Sequence, residues 1–176
     1  MEQGKMSDEA LAQLRSVEWC EPTDVPATVA DWLIYNDSMT RRLERHCLRL
    51  SVRVSTEHFI STLDVQNEQP LLPLSNRYWL REVTLLGDGK PWLFGRTVIP
   101  QQTLEEAEID LTQIGNTPLG RYLFLQGPPK RNFIHLGRCG SLWVRRSCLV
   151  LSGNPLLITE LFLPDAPLYS MVSKTF

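Results

Sequence analysis

Two arginines and a glutamate occupy positions where a strand pattern predicts apolar side chains. Arg81 lies in the run Arg77–Leu86 and Arg96 in Pro91–Pro100, joined at Gly87-Asp88-Gly89-Lys90. Asp-Gly is a strong hairpin signal, because both central residues of such a turn need positive φ. With Asp88-Gly89 as the turn, Gly87 faces Lys90, Leu85 faces Trp92, Val83 faces Phe94 and Trp79 faces Val98. Side chains alternate with period two, so the same count sets Arg81 opposite Arg96 on that apolar face. Like charges so opposed repel, and an arginine facing a core needs a partner. Two readings follow. Either carboxylates from elsewhere in the chain, such as Glu82 or Asp110, neutralise the pair or the guanidinium groups reach out to water, or the face forms a pocket for an anionic ligand whose carboxylates match the guanidinium fork. Glu160 poses the converse question. With Gly153-Asn154 as the turn of the last hairpin, Glu160 faces Ser147 and shares a stripe with Leu156, Ile158 and Phe162. A carboxylate there suits a general acid or a hydrogen-bonding anchor. The plainer alternative is an ion pair with Arg145, a diagonal neighbour on the same face.

The elements that must position these residues read as helices first and hairpin-linked strands after. Ser7 caps a short helix, with the first six residues and Ser170–Phe176 as loose ends. A second helix spans Thr28–Asn36, burying Val29, Trp32 and Leu33, and a third, capped by Asp37 or Ser38, carries Met39 and Leu43. Leu48–Thr56 alternates apolar and polar residues as a half-buried strand. Thr103 with Glu106 forms a capping box opening a helix that ends near Gly115, and Thr117-Pro118 starts a short helix through Phe124. Asn132–Arg138, Leu142–Leu151 and Leu156–Leu163 complete the strands. This order predicts an α+β fold around an antiparallel sheet.

The chain has 176 residues, a formal net charge of −2, and 43% hydrophobic residues with five Trp. It fits one domain over residues 1–176, able to build a packed core. The near-neutral balance argues against a nucleic-acid-coating protein. No apolar run reaches membrane-spanning length and no signal-peptide core opens the chain, so a cytoplasmic protein without membrane insertion is expected. Cys20, Cys47, Cys139 and Cys148 form no CxxC pair and read as reduced thiols. His46, His58 and His135 match no zinc spacing, and neither a phosphate loop nor a GxGxxG is present, so no metal or cofactor is expected. With no large exposed apolar stripe evident, a monomer is expected.

Five segments carry a resemblance: Leu33–Arg41 (LIYNDSMTR), Leu71–Glu82 (LLPLSNRYWLRE), Gly87–Pro100 (GDGKPWLFGRTVIP), Thr117–Phe124 (TPLGRYLF) and Leu151–Tyr169 (LSGNPLLITELFLPDAPLY). In this order they resemble the bacterial chorismate pyruvate-lyases. The resemblance implies a six-stranded antiparallel sheet with helical flaps over a buried site. It also implies cofactor-free conversion of chorismate to 4-hydroxybenzoate and pyruvate at the head of ubiquinone synthesis. Carried over, the substrate-binding positions are Met39, Arg81, Leu119 and Glu160, with Arg81 and Glu160 catalytic. Arg96 joins them on the hairpin count, with Arg81 on the ring carboxylate and Arg96 favouring the enolpyruvyl side. The alternative is a non-catalytic domain of the same fold that senses small aromatic acids. In repressors such a domain follows a DNA-binding segment, whereas the stretch ahead of Leu33 here is short and acidic.

Overall fold

The computed structural model describes residues 2–125 and 127–172. Seven strands form one antiparallel sheet in the order β1-β5-β6-β7-β4-β3-β2. They are β1 (Glu18–Cys20), β2 (Leu50–Ile60), β3 (Tyr78–Gly87), β4 (Lys90–Pro100), β5 (Lys130–Cys139), β6 (Leu142–Leu151) and β7 (Asn154–Phe162). The meander β2-β3-β4 and the meander β5-β6-β7 meet where β4 pairs with β7, so these two strands lie at the centre. The sheet has seven strands rather than the six expected. The addition is β1, a three-residue edge strand on β5, too short for alternation to reveal it.

Both faces of the sheet are covered. On one lie α2 (Ala27–Leu33), α3 (Met39–Glu44), α6 (Leu119–Leu123) and α7 (Pro167–Val172). Val29, Trp32, Leu33, Met39 and Leu43 pack there against Leu85, Leu93 and Phe162. On the other, α1 (Glu2–Leu14) sets Ala10 and Leu14 against Phe94, Val144 and Leu161. A further cluster joins Val65 of α4 (Thr62–Val65) and Leu72 to Tyr78, Leu80, Val98 and Leu157. Because both faces are buried, consecutive polar residues of a central strand point into two separate interiors. That holds for Arg81-Glu82 and for Arg145-Arg146, all four buried.

Ser38 is the cap of α3, its Oγ accepting from the Arg41 amide at 3.3 Å. The N-terminal helix starts at Glu2, not Ser7. Ser170 falls within α7, while residues 173–176 of the expected loose tail lie outside the described residues. Thr103 caps nothing: α5 (Gln101–Glu106) starts after Pro100, and Thr103 sits inside it, donating to the Pro155 carbonyl at 2.7 Å. That tertiary bond ties α5 to β7, and the helix ends at Glu106 rather than near Gly115. Helix α6 begins one residue later than Thr117-Pro118 suggests, with Pro118 as its cap.

The β3–β4 and β6–β7 turns each place two residues at positive φ: Asp88 (49°) with Gly89 (82°), and Ser152 (50°) with Gly153 (82°). In the first, Gly87 faces Lys90 and Leu86 faces Pro91, but then Leu85 faces Leu93. Trp92 is the extra residue of a bulge. Pro91 brings no N–H to the ladder, and the Trp92 ring lies over Gly87, where a Cβ would stand 2.3 Å from ring carbons. Gly87→Ala is therefore expected to destabilise the fold by about 1–3 kcal/mol, read as a lower denaturation midpoint, because a buried ring must shift to admit one methyl.

Candidate active site

The Trp92 bulge decides which arginine belongs to which face. Beyond it the register moves by one: Val83 faces Gly95, Trp79 faces Ile99, Arg81 faces Thr97 and Arg96 faces Glu82. Arg81 and Arg96 are thus on opposite sides of the sheet, and the expectation of a facing pair is corrected. Arg96 donates through Nε to Glu68 at 2.9 Å and through one terminal nitrogen to Glu82 at 3.1 Å. It lines a hollow of about 460 Å³ under α1 and α4, together with Arg146, and has two carboxylates of its own. Burial raises the Glu68 carboxyl above its usual range, while Arg96 opposes the shift. Of the two acidic partners expected from the chain, Glu82 is one. Asp110 instead caps a 3₁₀ turn at Leu111–Gln113, accepting from the Thr112 amide.

Arg81 stays on the face covered by α3 and α6. It is 1% exposed, donates to Glu57 on β2 at 2.8 Å and to the Thr117 carbonyl at 2.9 Å, and its Nε has no partner. Burial lowers the guanidinium's pKa and Glu57 partly restores it. Arg81 is thus an anchored cation, fixed between the β2 edge and the loop that launches α6.

A smaller cavity, about 90 Å³, lies on this face over the β4–β7 seam. Its floor includes Gly95 and Glu160, which are cross-strand neighbours, and Met39 of α3 with Leu119 of α6 roofs it. The structure therefore brings Met39, Leu119 and Glu160 to one cavity, with Arg81 in the adjoining strand rather than on its lining. The roof is joined by a close approach. A Cβ on Gly120 would stand 2.9 Å from Thr40 Oγ1, and Arg121 of α6 bonds Glu44 of α3 at 2.6 Å.

Glu160 is fixed by an arginine that the hairpin count had set diagonally. The turn is Ser152-Gly153, not Gly153-Asn154, so Arg145 is directly opposite Glu160 and Ser147 faces Ile158. The Arg145 Nε–H donates to one carboxylate oxygen at 2.7 Å and a terminal N–H to the other at 3.3 Å. Such two-point pairing fixes the carboxylate plane. Arg145 also donates to the carbonyls of Leu33 and Tyr35, both at 3.3 Å, and so ties the end of α2 to the sheet.

Two further lining residues escaped the sequence reading. Arg131, on β5, enters the cavity across from Leu149, and Ser147 lies in the same wall. Arg131 Nε and Ser147 Oγ are buried without a hydrogen-bond partner. Ser147 was visible as a polar residue on the Glu160 face. Arg131 was hidden because the bulge at Asn132 breaks the alternation that would have assigned its face. Among the described residues, no group of three or more His, Cys, Asp or Glu is placed to hold a metal ion, and no helix is long and apolar enough to cross a membrane.

The cavity combines an oriented carboxylate with buried donors that lack partners, a lining of the kind that small-molecule sites use. The comparisons narrow the class to one family. The family model for chorismate lyase matches residues 13–174, and the chain belongs to that family. The chorismate pyruvate-lyase of Pectobacterium atrosepticum is 54% identical over 166 residues, covering 93% of this chain and 94% of that protein. Those of Yersinia enterocolitica and Escherichia coli are 49% and 50% identical, over 94% and 93% of this chain and all of theirs. A possible transcriptional regulator of Bacillus subtilis aligns over 66% of the chain at a TM-score of 0.46 and 10% identity, too slight a likeness to bear on function.

Proposed function

We propose that the chain converts chorismate to 4-hydroxybenzoate and pyruvate in the cavity beneath α3 and α6. The observation that carries this reading is the meeting of Met39, Leu119 and Glu160, three residues distant in sequence, at one cavity. Family membership and about 50% identity to chorismate pyruvate-lyases over most of the chain supply the reaction.

In this reading the substrate's ring hydroxyl donates to Glu160. Arg145 N–H groups reach both oxygens of that carboxylate, so Glu160 presents lone pairs and serves as an oriented acceptor. Arg81 serves the ring carboxylate on the far side, through the Nε that has no partner within the protein. The reaction breaks the bond between the ring carbon and the ether oxygen, which leaves with the enolpyruvyl group, and removes the hydrogen from the neighbouring ring carbon. That hydrogen ends on the enolpyruvyl methylene carbon, giving pyruvate, and the ring becomes aromatic. No electrons are gained or lost overall, so the step asks the protein only for positioning and fixed charges.

The cavity is smaller than the roughly 150 Å³ that admits a benzene ring, so substrate entry requires the α3–α6 roof to lift. Met39 and Leu119 then act as flap residues that close over the ring. The enzyme works in the cytoplasm as a monomer, without cofactor, and its product feeds ubiquinone synthesis. The test is incubation of EDTA-treated protein with chorismate, following both products. Equimolar 4-hydroxybenzoate and pyruvate over many turnovers is the expected result. Binding without turnover would make the protein a sensor or carrier instead.

A further inference from the structure

Chorismate carries two carboxylates, and 4-hydroxybenzoate keeps only one. A site that turns the dianion over needs a second cation, and Arg96, the residue the sequence offered, lies on the other face with two carboxylates of its own. Two arginines line the cavity, Arg131 and Arg145, and Arg81 stands in the adjoining strand. Arg145 is committed to Glu160 and to two carbonyls. Arg81 is matched by Glu57.

Arg131 differs from both. Among the described residues no carboxylate lies within ion-pair distance of it, and its one hydrogen bond is a long one, 3.3 Å to the Tyr35 carbonyl. Its Nε is buried in the cavity wall without a partner. Burial and the charge of Arg145 both disfavour its protonated form, with Glu160 opposing them, so an arriving anion would relieve an existing strain on the charge. We propose that Arg131 receives the enolpyruvyl carboxylate of chorismate, with the Ser147 hydroxyl as a second donor, a contact that the hydroxybenzoate product cannot make.

Substrate geometry agrees. The enolpyruvyl ether sits on the ring carbon next to the one bearing the hydroxyl. With the hydroxyl on Glu160 and the ring carboxylate toward Arg81 on β3, the ether side faces β6 and β5, where Ser147 and Arg131 stand. The inference rests on the lyase reading, and it gives Arg131 a defined part. Arg131 selects the dianion, fixes the leaving group beside the hydrogen it takes up, and loses its ligand when pyruvate departs.

The test compares substrate with product. Arg131→Met and the milder Arg131→Lys are made in the full chain. The kcat and KM for chorismate are measured beside the 4-hydroxybenzoate Kd and the melting temperature. In Arg131→Met, kcat/KM is expected to fall about a hundredfold, while 4-hydroxybenzoate affinity stays within threefold of wild type. Lysine should restore part of the loss, since it keeps the charge and loses the fork. Unchanged kcat/KM in either folded variant, or parallel losses for substrate and product, would overturn the assignment. Should Arg131→Met fail to fold, Arg131→Lys decides alone: a kcat/KM loss with product affinity kept supports it. The wild-type control isolates the underlying reading, because absence of turnover there counts against the lyase and not against Arg131.

Discussion

Arg145→Met should destabilise the protein by about 3–5 kcal/mol, the range for removing one partner of a buried ion pair. Arg145 and Glu160 are 4% and 8% exposed, so water cannot take over the lost contact. In a chain of this size the change corresponds to a melting temperature lower by roughly 10 °C. Glu160→Met should be milder. It leaves a buried cation, but one that still donates to the Leu33 and Tyr35 carbonyls. The double variant should recover a good part of the loss, because no buried charge is then left alone, though the α2 end stays untied. Denaturant unfolding of the three variants gives the coupling energy. Additive effects would mean that the two side chains are not coupled, and Glu160 would then lack the fixed orientation its acceptor role requires. All three variants should be inactive as folded proteins, so stability and turnover must be measured separately.

Strand positions and the α+β class were legible because β3, β4, β6 and β7 are apolar-rich runs bounded by distinctive turn residues, while β2 alternates. Partnership was not, and the reasons are local. A single proline and a tryptophan lying over Gly87 insert one residue after the first turn, and that moved Arg96 to the other interior. The second turn holds a serine at positive φ, a position a reader assigns first to Gly or Asn, and the count ran two residues off. Glu160 kept its face, since a shift of two preserves alternation, but its true partner Arg145 seemed diagonal. Arg131 lay beyond reach of pattern, next to a bulge and at the start of a strand. Met39 and Leu119 read as ordinary core by spacing alone, and only the family resemblance set them apart. Charges on central strands are what hydrophobic periodicity leaves unassigned, and here they make up most of the site's chemistry.

Arg81→Met should abolish both functions that depend on the ring carboxylate. Turnover is expected to fall about 10²–10³-fold, in line with the effect of truncating one partner of a desolvated charge contact. Affinity for 4-hydroxybenzoate should fall in parallel, because product and substrate share that carboxylate; this separates Arg81 from Arg131, whose loss is expected to spare product binding. The structural loss is smaller than at Arg145. Glu57, with its side chain 19% exposed at the β2 edge, can turn to water when its partner goes, leaving about 1–3 kcal/mol for the Thr117 carbonyl and the lost packing. Calorimetric titration with 4-hydroxybenzoate, beside chorismate kinetics on the same folded sample, checks both halves. A variant that melts lower yet turns over normally per folded molecule would make Arg81 a tie between β2, β3 and the α6 loop. The ring carboxylate would then have to be met by another donor on that face. Loss of turnover with product affinity intact would exchange the roles of the two arginines and put the enolpyruvyl group on the β3 side of the seam.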